Sequence, residues 1–190
     1  MAAVLDIRRI RSPADWSRAR SLVEAYAAGL GVDLGFQGFD AEVADLAGVY
    51  APPGGMWIAG LGGKEVGCVG LRRLAEGLGE LKRLYVHPSA RGAGVGRALV
   101  AAALGAARRA GFRAVRLDTL PGMEAAQAVY RTFGFQPTAP YRVNPVPGAA
   151  FLELELSPAP RRAGPRPRRL PRRAAGKPRG RTPPAGRGRR

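Results

Sequence analysis

Residues 79–100 read GELKRLYVHPSARGAGVGRALV, and the reading of this stretch decides the fold. Leu81–Val86 is an apolar strand. Arg91 to Gly96 is Arg-Gly-Ala-Gly-Val-Gly. A helix begins near Gly94, with apolar residues at Val95, Ala98, Leu99, Ala102 and Ala106 in one-face helical spacing. Glycines let successive backbone N–H groups turn toward one point, and a helix start adds the positive end of its dipole. Strand, glycine loop and helix together predict a seat for an anion, most naturally a phosphate, with the Arg91 charge at its rim.

Two other phosphate motifs match the spacing poorly, a dinucleotide site being the competing reading. In G-x-G-x-x-G a third glycine or an alanine follows the second by three residues, but counting from Gly92 gives Arg97 and counting from Gly94 gives Leu99. That motif also follows its strand almost directly, whereas His87-Pro88-Ser89-Ala90-Arg91 intervenes here, even though Asp118 at the end of the next strand mimics the ribose-binding acid. The P-loop reading fails for want of its Gly-Lys-Ser/Thr end.

Outward from this centre, Val4–Ile10 alternates apolar and charged residues as an edge-type strand. Ser12-Pro13-x-Asp15 supplies a helix start, and Trp16, Ala19, Val23, Tyr26 and Leu30 form that helix's expected buried face. GVDLGFQGF is a glycine-punctuated loop, and Asp40–Leu46 a short helix. Met56–Leu61 and Val66–Arg72 form a strand pair turning at Gly62-Gly63, and Glu80–Val86 continues the sheet. The central helix closes with Arg108, Arg109 and Gly111. Ala114–Thr119 is a strand, Met123–Phe133 a helix ending at Gly134, and Ala150–Leu156 a final strand. Hairpins mixed with one strand-helix-strand crossover predict an α/β fold with helices on both faces of the sheet.

Composition narrows the function. Single cysteine and histidine residues, Cys68 and His87, exclude an internal disulfide framework and a Cys/His zinc site. Asp6, Arg8 and Arg9 interrupt the first ten residues, which therefore do not read as a signal peptide, and no segment reaches the ~20 apolar residues of a membrane span. A cytoplasmic setting is expected. The net charge of +17 is concentrated at one end: the 13 basic residues after Ser157 meet no acid there, leaving +4 on residues 1–157. Residues 158–190, rich in Arg, Pro, Gly and Ala, are expected to form a disordered basic tail. Such a tail suits nonspecific binding of nucleic acid or an anionic surface, without the aromatic residues needed for base stacking. An incidental, GC-rich extension is the competing reading.

Arg91, Gly94 and Gly96 also match the coenzyme A signature Arg/Gln-x-x-Gly-x-Gly/Ala. Leu84-Tyr85-Val86 followed by x-Pro, and Ala126-x-x-x-Tyr130-x-x-x-Gly134-Phe135, supply two further family segments. The chain resembles the GNAT superfamily of N-acetyltransferases over about Val4 to Leu156. The resemblance implies a mixed central sheet split between the fourth and fifth strands, with acetyl-CoA lying in the split. Leu84 and Val86 are then expected to give main-chain hydrogen bonds to the pantetheine arm, and the amides of Arg91, Gly92, Ala93, Gly94, Val95 and Gly96 to hold the pyrophosphate. Met123 stands where many relatives carry an asparagine, which removes one expected side-chain contact to the cofactor arm.

Acetyl transfer needs a neutral amine, a place for oxyanion charge, and a proton for the departing thiolate. Glu80, at the start of the split strand, is the candidate base, acting through water; the alternative is a surface carboxylate balancing Lys82 and Arg83. Backbone N–H groups near Leu84 are the candidate oxyanion donors. The resemblance makes Tyr130 the proton donor to the thiolate, against a plain core aromatic beside Ala126 and Phe133. His87 reads as a turn residue and Cys68 as core. Tyr141 and Asn144 are expected to line the acceptor pocket, and Asp40 or Glu42 to attract a cationic amine, with loop anchoring and surface solvation as the alternatives. The acceptor is expected to be a small amine or amino-acid-like metabolite. A protein N-terminus or lysine, an acyl-CoA-binding scaffold with a nucleic-acid-binding tail, and a second copy of the chain stay open as other acceptors, roles and partners.

Overall fold

The computed structural model describes residues 3–156. The tail expected at 158–190, with its binding roles, lies outside the described residues. The chain opens with β1 (Leu5–Arg9) and α1 (Pro13–Leu30). The Ser12 hydroxyl caps α1 by accepting from the Asp15 N–H at 3.2 Å, as the Ser-Pro-x-Asp pattern predicts. A short 3-10 turn at Gly35–Gln37 interrupts the glycine-punctuated loop, followed by α2 (Phe39–Ala44) and α3 (Leu46–Val49). Then come β2 (Gly55–Leu61), β3 (Lys64–Ala75), β4 (Leu78–Val86) and α4 (Val95–Arg109). β5 (Ala114–Thr119), α5 (Glu124–Phe133), β6 (Gln136–Pro137) and β7 (Ala150–Glu155) complete the described chain.

The seven strands lie in the order β1-β2-β3-β4-β5-β7-β6, and β4–β5 is the parallel pair. α1 packs on one face of β3 and β4, and α4 on the other. In α4 the side chains of Leu99, Val100 and Leu104 are fully buried, each stabilising the fold by about 1.5–3 kcal/mol. This is what docks an alanine-rich helix onto the sheet. On α1, Ala19, Leu22 and Val23 are buried, but Tyr26 and Leu30 are only half-buried. Those two leave the expected core stripe and line a cleft instead.

Two irregularities of β4 shape the molecule. First, β4 and β5 pair over three residues only, Leu78 with Ala114, Gly79 with Val115 and Glu80 with Arg116. From Leu81 onward β4 has no register partner on that side, so the sheet is split where the family resemblance implies. Second, Tyr85 opposes Cys68 while Lys82 opposes Gly70, so Arg83 and Leu84 together face Val69. Arg83 takes φ +55°, a conformation that side chains rarely adopt. This bulge sends two consecutive side chains, Lys82 and Arg83, to hydrogen-bond partners in the segment after α1 and in α2. Opposite the bulge, a Cβ on Gly70 would lie 2.2 Å from the Tyr50 ring, so only glycine lets that ring close on β3.

Candidate active site

The glycine loop forms an open cradle. Arg91, Gly92, Ala93 and Gly94 are exposed, and Gly96 is half-buried. Gly92 and Gly94 have φ +82° and +76°, and a Cβ on either would meet no atom within 4 Å. Gly94 caps α4 without any side-chain hydrogen bond, which leaves the first-turn N–H groups of the helix free for an anion. The Arg91 Nε donates to the Val86 carbonyl at 3.4 Å, holding the guanidinium between strand end and helix start. His87 donates its backbone N–H to Val66 at 2.7 Å and pairs Nδ1 with the Ser89 hydroxyl at 2.8 Å. Since His87 turns its amide toward β3, the alternation of a strand turns Val86 toward the open side.

A cleft lies beside the split. Tyr26, Leu30, Leu34 and Phe36 line it from α1 and the turn that follows; Lys82, Leu84 and Asp118 line it from β4 and β5, and Tyr130 from α5. The Tyr130 ring is tilted against Phe135 at 5.6 Å and is 4 % exposed. Among the described residues its hydroxyl has no hydrogen-bond partner, and burial pushes the phenol well above its ordinary range. Tyr130 is thus a core aromatic by its ring and a retained proton at the cleft by its oxygen.

A buried charge network reaches this cleft at Gln37, Lys82, Arg83 and Asp118. Glu80 has no exposed surface; it accepts from Arg72 at 2.6 Å, from the Tyr141 hydroxyl at 3.0 Å and from Arg142 at 2.9 Å. Asp118 accepts from Arg142, from Asn144 at 2.8 Å and from Gln37 at 3.3 Å. Lys82 donates to Gln37 Oε1 at 2.9 Å, and burial lowers its ammonium to about 8. Glu42 receives two bonds from Arg83, each 2.8 Å, and one from Tyr50 at 2.7 Å. Burial pushes the Glu42 carboxyl up, but the Arg83 guanidinium overcomes this and holds it below the usual carboxylate range.

Residues 19–135 match the model of the acetyltransferase (GNAT) family. The chain belongs to the GNAT family. It is 35% identical over 156 residues to an uncharacterised N-acetyltransferase of Schizosaccharomyces pombe, covering 80% of this chain and 96% of that one. It is 32% identical over 112 residues to the uncharacterised N-acetyltransferase YjgM of Escherichia coli, covering 57% and 67% respectively. A Salmonella typhimurium structure, solved with its cofactor acetyl-CoA, shares the fold at TM-score 0.62 and 19% identity, over 80% of this chain and 94% of that one.

As a GNAT acetyltransferase the protein uses acetyl-CoA as cosubstrate, and its own loop fits that molecule. The cradle at Gly92 and Gly94 is empty of protein atoms, the α4 amides are uncapped, and the β4 edge is free beyond Glu80. Of the residues singled out from the sequence, Leu84 and Tyr130 line the cleft, and Arg91 to Gly96 form the loop and helix start beyond Val86. Tyr141 and Asn144, expected to line the acceptor pocket, are not among the residues lining this cleft; they anchor the network behind it, through Glu80 and Asp118. Burial corrects the surface-carboxylate alternative for Glu80: its direct ion pairs are with Arg72 and Arg142, and it makes none with Lys82 or Arg83 among the described residues. Burial likewise corrects the expectation that Glu42 draws a cationic amine, since Arg83 and Tyr50 occupy its oxygens. Asp40 is exposed on α2. Cys68 is core as expected, its thiol pushed up to about 12 by burial. His87 closes the strand turn.

Sequence reasoning missed Lys82, Gln37, Asp118 as a network member, and Arg142. One signal was available. Glu80 and Lys82 stand two residues apart in a strand otherwise expected to be buried, hence on one face before the bulge.

Proposed function

We propose that the cleft acetylates a small amine or amino-acid-like acceptor by direct attack, without an acyl-enzyme. The observation that carries this reading is the split between β4 and β5, whose separated strands line the cleft at Leu84 and Asp118. Bound acetyl-CoA supplies an acetyl thioester, whose C–S bond breaks as the acceptor nitrogen forms its bond to carbon. The Arg91–Gly96 amides hold the pyrophosphate, and the free edge at Leu84 and Val86 holds the pantetheine arm and polarises the carbonyl. Tyr130 holds its proton at the hydroxyl oxygen for the departing thiolate.

Glu80 takes the acceptor's proton through Tyr141 in place of water: the Tyr141 hydroxyl passes its hydrogen to Glu80 as it receives the amine's. Asn144 and Arg142 keep Asp118 in place at the acceptor side. Residues 1–157 carry the whole activity. Thiol release from acetyl-CoA by the full chain, with a panel of small amines, amino acids and peptide N-termini, tests the reading. Turnover with small acceptors is expected. Turnover confined to peptides would replace the acceptor class, and no turnover with any amine would overturn the reaction.

A further inference from the structure

We propose that the acceptor carries a carboxylate on an apolar body, an apolar amino acid being the simplest case, and that Lys82 receives that carboxylate. The proposal rests on the acetyl-transfer reading and names the substrate class of the same cleft.

Lys82 is 5 % exposed, and its Nζ donates one hydrogen bond, to Gln37. An ammonium has three N–H donors. Among the described residues, no carboxylate oxygen lies within the 4.0 Å of an ion pair. A buried charge without a counter-charge close by is costly, because the protein interior does not replace the lost hydration. Such a group calls for an anion, and the protein does not spare one. Glu80 is taken by Arg72, Arg142 and Tyr141, Glu42 by Arg83 and Tyr50, and Asp118 by Arg142, Asn144 and Gln37. Arg72, Arg83 and Arg142 balance those three carboxylates, so Lys82 is the charge left over.

Gln37 fixes where that charge sits. Its amide nitrogen is held by Asp118 and its oxygen by Lys82, which orients the carboxamide between the two ions. The ammonium is thereby kept at the cleft that Lys82 and Gln37 both line. Burial is the main influence lowering Lys82, with Arg83 and Arg142 adding to it and Glu80 and Glu42 opposing it. A bound carboxylate acts in the opposing sense. The cleft's remaining wall, Leu30, Leu34, Phe36 and Met123, offers apolar contact to the rest of the acceptor. Polyamines fit poorly: the surplus charge repels them and the carboxylates around the cleft are already paired.

The test compares matched acceptors with the full chain. Leucine, phenylalanine and methionine are set against isopentylamine, phenethylamine and 3-(methylthio)propylamine, which lack only the carboxylate; spermidine is included. At least one amino acid is expected to exceed its amine at least tenfold in kcat/KM, and Lys82→Met to raise KM for that amino acid at least tenfold, with the smaller change in kcat. Preference for the simple amines or spermidine overturns the proposal, as does a preference that survives in Lys82→Met.

A second measurement needs no turnover. With CoA present, N-acetylleucine, N-acetylphenylalanine or N-acetylmethionine is expected to raise the melting temperature, and the matching acetamide without a carboxylate to raise it less. Absence of any difference in wild type overturns the carboxylate site without requiring a folded variant. A difference seen without acetyl transfer to any amine supports the site while refuting the transfer reading, so the two failures are separable.

Discussion

Replacing Glu42 by glutamine removes one charge from a buried, doubly hydrogen-bonded pair and changes almost no volume. Glu42 and Arg83 are each 3 % exposed, and the Arg83 guanidinium also lies 5.0 Å from the Phe39 ring centroid and 5.7 Å from that of Tyr26. Glutamine keeps an acceptor for Tyr50 and one for Arg83, but the guanidinium loses its counter-charge. Breaking a buried pair from one side costs about 3–5 kcal/mol, and at about 2–4 °C per kcal/mol for a domain of this size the melting temperature falls by about 6–20 °C. Circular dichroism on wild type and Glu42→Gln at pH 7 measures it.

The pH dependence gives an independent check. Glu42 titrates below its unfolded value, ~4.3, so its contribution is complete above that value and is lost as pH falls through the lower folded one. The gap between wild type and variant therefore narrows below about pH 4. Adding Arg83→Gly removes the stranded cation and supplies the one residue type that takes φ +55° without strain, and it is expected to restore roughly half or more of the loss. A melting temperature within 2 °C of wild type, or a gap that does not depend on pH, would refute the reasoning.

Arg91→Ala is expected to weaken acetyl-CoA binding on the order of tenfold, measured by calorimetry, since it removes a charged donor to phosphate. Gly94→Ala places a side chain at φ +76° and is expected to weaken binding and lower stability by about 1 kcal/mol, checked by calorimetry and melting. Tyr130→Phe is expected to lower kcat on the order of a hundredfold with acetyl-CoA affinity unchanged; full activity in single-turnover kinetics would leave Tyr130 as a packing residue only. Binding of N-acetyl amino acids is expected to weaken as pH rises through about 8, because Lys82, lowered by burial, is the cation below that pH and neutral above it.

Local chemistry in this chain is legible without coordinates. The Ser12 cap, the Gly62-Gly63 turn, the strand-loop-helix around Arg91 to Gly96 and the C-terminal Gly134 of α5 involve residues within one or two turns of each other. Backbone geometry and capping fix them there. The same locality made the phosphate seat readable as a site. Tyr141 and Asn144 are readable from the sequence only as pocket candidates, because their partners Glu80 and Asp118 lie on strands far away in sequence.

The order of elements, the glycine loop ahead of α4 and the family signature are all carried by short-range spacing and are legible in the sequence. Only the three-dimensional packing shows which of the buried charges beside the cleft are paired. Strict alternation along ELKRLYV puts Lys82 and Arg83 on opposite faces. The bulge turns both toward partners that follow α1, Gln37 for Lys82 and Glu42 on α2 for Arg83; Glu42 neutralises Arg83, and among the described residues no carboxylate lies within 4.0 Å of Lys82. Whether a buried charge is paired depends on which carboxylates the fold brings within 4 Å. That is a property of long-range packing which no local pattern encodes.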